Sequence, residues 1–108
     1  DAQAESLRRA LGLDRDTPVI GAGGRLDPVK AYDLLIDALA DVRSRWPVDT
    51  PRPILLVVGD GPDRERLHAH AAHAGVADAV RFLGWRTDVR DILAALDLFV
   101  LCSDSEGT

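Results

Sequence analysis

Lysine is almost missing from this chain: of thirteen basic residues only Lys30 is a lysine, and the rest are arginine. Composition alone therefore gives no reason for an ammonium at that position. Cysteine is nearly absent too. The single Cys102 has no partner for an internal disulfide, and no N-terminal run resembles a signal peptide, so a reducing, cytoplasmic setting is expected. Positive charge is in deficit: the net charge of -5 leaves no basic stripe to replace counterions along a nucleic-acid backbone, so nucleic acid is excluded as a partner. Long hydrophobic runs are lacking as well. The longest, Ile54 to Val58 and Leu98 to Cys102, are far too short to cross a bilayer. Low-complexity tracts and repeats of solenoid length do not occur. A length of 108 residues allows at most one domain with a modest core.

What is present is a rhythm of apolar runs ending in glycine. Residues 2 to 13 read as an amphipathic helix with Leu7, Ala10 and Leu11 on one side, followed by a turn at Asp14-Arg15-Asp16-Thr17-Pro18. Val19 to Gly23 reads as a strand. Asp27-Pro28 has the form of an N-cap followed by proline at the first helical position. Leu35, Ala38, Leu39, Val42 and Trp46 then recur at helical spacing up to Pro47, which makes Trp46 a core residue. Ile54 to Val58 is apolar on both faces, as in a strand covered by helices on each side of a parallel sheet. Gly59-Asp60-Gly61-Pro62 turns it into a helix with Leu67, Ala71 and Ala74 spaced for burial, stopped by Gly75. Ala79 to Leu83 reads as a strand ending at Gly84. Thr87-Asp88 is expected to cap a helix carrying Val89, Ile92, Leu93 and Leu96, and Leu98 to Cys102 reads as the last strand. This alternation predicts an α/β, doubly wound, Rossmann-like parallel sheet with right-handed crossovers.

Ligands of such sheets lie beyond the carboxyl ends of the strands, and those ends hold the unusual residues: Gly23-Gly24-Arg25, Gly59-Asp60-Gly61, Gly84-Trp85-Arg86 and Ser103-Asp104-Ser105-Glu106-Gly107. They should converge on one crevice. Arg25 and Lys30 flank a predicted helix start, where positive side chains are unfavourable unless an anion is bound there. Helix N-termini supply free N–H groups and positive potential for a phosphate. Trp85, trailing a strand-ending glycine, is placed to stack on a base or to plug the crevice. Other signals have plainer readings. His68, His70 and His73 on one predicted helix lack a completing cysteine or carboxylate arrangement and read as surface histidines, not a metal site. Asp14-x-Asp16 precedes the first strand and reads as a turn. Cys102 reads as a small packed residue.

Gly-Gly-Arg-Leu followed by Lys30, Val58-Gly59-Asp60-Gly61-Pro62, Phe82-Leu83-Gly84 and Ser103-Asp104-Ser105-Glu106-Gly107, in that order and spacing, resemble the C-terminal donor-binding half of the GT-B glycosyltransferases of the retaining group 1, or family 4, type. The resemblance runs from about Val19 to the last residue. It implies that residues 1–108 are part of the donor nucleotide-sugar-binding domain, with 1–16 a lead-in helix and turn, and that the strand order is 3-2-1-4, an incomplete sheet. Arg25 and Lys30 would hold the diphosphate of a UDP or GDP sugar and neutralise the leaving nucleoside diphosphate. Glu106 matches the first carboxylate of the family's Glu-x7-Glu signature, near the donor sugar and phosphate. Backbone at Gly84 and Trp85 would meet the nucleobase, and Gly24, Gly61, Ser103 and Gly107 would border the donor. No metal and no cofactor besides the donor substrate is implied.

Two departures stand out: Ala31 replaces the glycine that usually follows the lysine, and the chain stops at Thr108, before the second glutamate. The acceptor-binding N-terminal domain is not here either, so this chain alone is expected to be inactive. The full-length protein is expected to be cytoplasmic, with peripheral contact to the inner membrane compatible with the family. Alanine- and arginine-rich usage suggests a GC-rich bacterial source. In such a sheet Leu98 to Cys102 forms an apolar edge, so self-association through it, or poor order after Leu101, is expected. Two other classes share parts of the pattern. Gly21-Ala22-Gly23 offers the G-x-G of a dehydrogenase-type dinucleotide module, although Leu26 stands where a third small residue belongs. A non-enzymatic α/β interaction module would use the same glycines for turns only.

Overall fold

The structure, a computed structural model, describes residues 2–26 and 31–101. The expected helix start at Asp27-Pro28, the placement of Cys102 and the order of the chain after Leu101 lie outside the described residues. The elements run α1 (Ala2–Ala10), β1 (Val19–Gly23), α2 (Ala31–Ser44), β2 (Ile54–Val58), α3 (Arg64–His73), a short 3-10 turn (Ala77–Ala79), β3 (Val80–Gly84), α4 (Val89–Ala95) and β4 (Leu98–Leu101). The four strands form one sheet in the order β3-β2-β1-β4, all pairs parallel, with Val19 opposite Ile54 and Ile20 opposite Leu98. This is the predicted doubly wound α/β sheet.

The chain direction follows from handedness. β1 to β2 to β3 steps one way across the sheet, and β3 to β4 steps back past both. Right-handed crossovers therefore put α2 and α3 on one face and α4 on the other. α2 packs on α3, and α1 packs on α4. The reversal of direction lies at β1, between β2 and β4, and in open α/β sheets that is where a crevice opens.

The core is centred on β2. Leu55, Leu56 and Val57 are wholly inaccessible, joined by Val19 and Ala22 of β1, Tyr32 and Ile36 of α2 and Leu67 of α3. Burial of such side chains contributes about 1.5–3 kcal/mol each. On α2 the inward stripe is Tyr32, Asp33, Ile36 and Leu39, rotated from the expected one. Ala38 and Val42 face solvent. Trp46 is only half-buried and donates its indole Nε1–H to the Pro51 carbonyl at 2.9 Å, so it fastens the α2–β2 loop instead of filling the core. β3 starts at Val80 because Ala79 belongs to the preceding 3-10 turn. The expected capping role of Asp88 is replaced. Its carboxylate makes no cap bond because it accepts two hydrogen bonds from Arg86, Nε at 2.9 Å and Nη2 at 2.7 Å.

At the opposite end of the sheet from the strand tips, Arg8 fastens α1. Its guanidinium donates to the carbonyls of Thr17, Asp14 and Ala95 and to the Asp97 carboxylate. The same carboxylate accepts from the Val19 N–H at 2.7 Å, and the Asp97 N–H donates to the Val19 carbonyl at 2.8 Å, so Asp97 aligns the starts of β1 and β4.

Candidate functional site

Three of the strand tips are fastened to one another through backbone atoms. The Leu26 N–H donates to the Asp60 carbonyl at 3.2 Å, and the Leu26 carbonyl accepts from the Asp63 N–H at 2.9 Å. The tip of β1 thus runs alongside the β2–α3 turn. The Gly59 N–H donates to the Gly84 carbonyl at 2.8 Å, which joins the β2 and β3 tips. This packing explains why the second tip is written Gly-Asp-Gly. Gly59 sits at φ 129°, and a Cβ there would come within 2.5 Å of the Gly24 carbonyl oxygen. A Cβ on Gly61 would overlap the Leu26 backbone itself. The turn's glycines are needed for close approach of main chains.

Two side chains complete the frame. Tyr32, the only tyrosine, is fully buried at the start of α2 and donates its hydroxyl to the Gly24 carbonyl at 3.1 Å. Arg64, in the first turn of α3, reaches the Phe82 carbonyl at 3.4 Å and the Asp60 carboxylate at 3.5 Å. The same Asp60 carboxylate accepts from the Gly61 N–H at 2.8 Å. Sequence reasoning passed over both residues. The only signal for Tyr32 was a solitary tyrosine at a helix start, and for Arg64 an arginine four residues after a turn aspartate.

A cleft of about 440 Å³ opens where these tips meet, lined by Arg25, Asp60, Gly61, Pro62 and Trp85. Of the predicted site residues, the structure brings together Arg25, Gly61 and Trp85 directly. Gly24 and Gly84 form the fastened tips beneath them. Lys30, Ser103, Glu106 and Gly107 lie outside the described residues. Arg25 is exposed, and Trp85 is 71 % exposed, a large indole left unburied at the rim. α2 and α3 both begin at this end of the sheet, so the partial positive charge of their N-termini falls here. A guanidinium, helix N-termini and an exposed aromatic face together suit a ligand that carries a phosphate and a flat ring.

A larger cleft, about 550 Å³, lies at the far end of the sheet between α1 and α4, lined in part by Arg8, Leu13, Arg15 and Asp97. Its most buried cation, Arg8, is committed to four acceptor groups of the chain itself. Size does not make it the site.

Electrostatics around the strand tips is dominated by arginine–aspartate pairs. Arg86 and Asp88 bond each other, which raises the guanidinium pKa and lowers that of the carboxyl below its usual range. Arg66 meets Asp33 in a two-pronged bond, Nη1 at 2.8 Å and Nη2 at 2.7 Å, and Asp63 through Nε at 2.9 Å and Nη2 at 2.5 Å. Those hydrogen bonds raise its pKa further. His70 contacts Asp37 at 2.8 Å and lies 3.7 Å from Asp33, while His68 stacks near the Phe82 ring with centroids 4.0 Å apart. His68 and His70 thus serve separate local contacts.

The profile of the family described as glycosyl transferases group 1 matches residues 3–108. The chain is 38 % identical over 99 residues to a lipopolysaccharide core biosynthesis glycosyltransferase, LpsE, of Rhizobium meliloti, covering 92 % of this chain and 27 % of that protein. It is 42 % identical over 108 residues to a D-inositol 3-phosphate glycosyltransferase of Stackebrandtia nassauensis, covering 94 % of this chain and 24 % of that one. Among solved structures it is similar to HepE of Anabaena in complex with UDP and glucose, with a TM-score of 0.75 and 33 % identity over 91 % of this chain and 26 % of HepE. The chain therefore spans about a quarter of the length of these relatives. Among the described residues, no helix is long and apolar enough to cross a membrane.

Proposed function

Because this chain belongs to the group 1 glycosyl transferases, we propose that it is the donor-binding part of an enzyme that moves a sugar from a nucleoside-diphosphate sugar to an acceptor hydroxyl, with retention at the anomeric carbon. The observation that carries the reading is the cleft at the strand tips, where Arg25 and the exposed Trp85 face one opening framed by backbone-to-backbone bonds. The HepE structure holding UDP and glucose supports a nucleotide sugar as the donor.

In this proposal Arg25 and Lys30 grip the diphosphate. The bond between the anomeric carbon and the β-phosphate oxygen breaks, and its electron pair leaves with that oxygen. The acceptor oxygen bonds to the anomeric carbon and gives up its proton to the departing phosphate oxygen. Cations fixed beside the departing oxygen stabilise the charge that develops there, which is commonly the largest catalytic contribution. Because the tips of β1 and β2 are already locked together, little reorganisation is needed as that charge appears. Trp85 and the Gly84 backbone take the base side of the nucleotide. Glu106, Ser103 and Gly107 are assigned to the sugar and phosphate by the family's motif. Because the chain spans about a quarter of its relatives' length, acceptor binding is assigned to parts outside residues 1–108, and these residues alone are expected to bind donor weakly without transferring sugar.

The test is a calorimetric titration with UDP, GDP and NAD. Binding of UDP or GDP, weakened at least tenfold, or by about 1.5–3 kcal/mol per lost charge-assisted bond, in the Arg25→Ala, Lys30→Ala double variant is the expected result. Binding of NAD instead, or an unchanged affinity in the double variant, overturns it.

A further inference from the structure

Arg25 hangs on a closed circuit of bonds, and Arg66, which no motif singled out, is the link that closes it. The carbonyl before Arg25, on Gly24, accepts from the Tyr32 hydroxyl. The carbonyl after it, on Leu26, accepts from the Asp63 N–H. Tyr32 is followed in the chain by Asp33, in the first turn of α2, and Asp63 is the residue that precedes α3. Arg66 joins the carboxylates of Asp33 and Asp63. Walking around it, the circuit runs Gly24, Arg25, Leu26, Asp63, Arg66, Asp33, Tyr32 and back to Gly24. We propose that Arg66 is a positioning residue for the donor site, fixing the first turns of α2 and α3 against each other so that Arg25 is presented at the distance a pyrophosphate requires. The proposal rests on the donor-binding reading given above.

Three features favour positioning over plain stabilisation. First, Asp33 and Asp63 are buried residues, each with its side chain 11 % exposed, at the beginnings of two helices that point toward the cleft. Left unpaired, those charges would repel the diphosphate and cancel the positive potential of the helix ends. Arg66 offsets both at once. Second, Asp63 forgoes the usual capping bond because its oxygen is held by Arg66, so the local helix-stabilising option has been given up for the cross-link. Third, the contact to Asp33 is the planar, two-pronged kind that fixes orientation as well as distance. His70 extends the same seam away from the cleft, bridging Asp33 and Asp37.

The experiment is a titration of the 108-residue chain with UDP and with UMP, alongside thermal melting. Arg66→Gln is expected to lower UDP affinity about tenfold while changing UMP affinity little, since misplacement of the second phosphate's ligand is what the circuit prevents. Arg66→Lys keeps the charge but loses the fork, and should lower UDP affinity by a smaller factor of about three; it also decides the matter if Arg66→Gln fails to fold. Leu39→Ala, which opens a cavity beneath α2, serves as the control and should lower the melting temperature while leaving the ratio of UDP to UMP affinities unchanged. An unaltered ratio in both Arg66 variants beside a wild-type chain that binds UDP overturns the proposal alone. An equal loss of ratio in Leu39→Ala also overturns it, because general loosening would then suffice. A wild-type chain that binds neither UDP nor GDP removes the donor-binding reading and this proposal together.

Discussion

The Tyr32 hydroxyl donates to the Gly24 carbonyl at 3.1 Å from a side chain that is otherwise wholly enclosed. A single oxygen atom therefore connects the core face of α2 to the strand tip that presents Arg25. Removing it in Tyr32→Phe preserves the packing of the ring and deletes that bond. The expected cost is about 1 kcal/mol, or roughly 5 °C in melting temperature for a domain of this size, accompanied by weaker UDP binding in calorimetry. A variant as stable and as tight as the parent would show that the bond holds nothing in place.

Gly61→Ala should be far more damaging than its one added methyl suggests. Its Cβ would overlap main-chain atoms of Leu26, which cannot rotate away as a side chain could. Separation of the β1 tip from the β2–α3 turn breaks the two Leu26 bonds to Asp60 and Asp63. A loss of about 2–4 kcal/mol in urea unfolding is expected, and nucleotide binding should fall with it.

Trp85→Ala separates function from folding at the same cleft. The indole is 71 % exposed, so its removal should move the melting midpoint by less than about 0.5 kcal/mol equivalent. If the ring lies against the nucleobase, affinity for UDP should drop by about 1 kcal/mol, the worth of an aromatic stacking contact, while the response to inorganic pyrophosphate stays the same. Equal effects on the two ligands would count against a base contact.

The Arg86–Asp88 pair makes a prediction about acid. Its hydrogen bonds lower the Asp88 pKa from the ordinary carboxylate value of 3.8. A carboxyl whose folded pKa is depressed adds stability that is fully present above its unfolded pKa and is lost as pH falls through the folded value. The pair's contribution is thus intact at neutral pH and disappears only in strong acid. A carbon-detected NMR titration should find Asp88 titrating below the ordinary carboxylate value of 3.8, and Arg86→Gln should move it upward.

β4 pairs with β1 alone among the described strands, and Leu98 and Leu101 on it are 56 % and 74 % exposed. Such an edge is a template for another strand. Light scattering of the 108-residue chain should report a mass that rises with concentration, and Leu98→Lys with Leu101→Lys should return it to that of a monomer. A parent chain that stays monomeric throughout would remove this expectation.

The sheet was legible because its signals are local. Ile54 to Val58 is apolar on both faces, and the structure finds the strand at those residues, buried on both sides. β1 was bounded correctly at Val19 and Gly23 for the same reason, with Pro18 before it and glycines after it. The turn of α2 toward the sheet was misjudged, since periodicity alone does not say which of two adjoining stripes faces inward; Tyr32 and Ile36 lie beneath the sheet, and Val42 does not. Asp88 had the sequence of a cap, but an arginine two residues earlier took its carboxylate. At the cleft, Arg25, Gly61 and Trp85 could be read from their places after strand ends. The Arg66 link could not, because Asp33 is 33 residues away in sequence, and nothing short of the folded chain brings an unremarked arginine to it.

The bonds that hold the β1, β2 and β3 tips together run between peptide groups and ask nothing of the side chains at Arg25 and Trp85. Those two positions can therefore drift in evolution, or be randomised in a library, with the mouth of the cleft keeping its shape. A change of ligand preference becomes a matter of a few surface substitutions on a chassis that tolerates them.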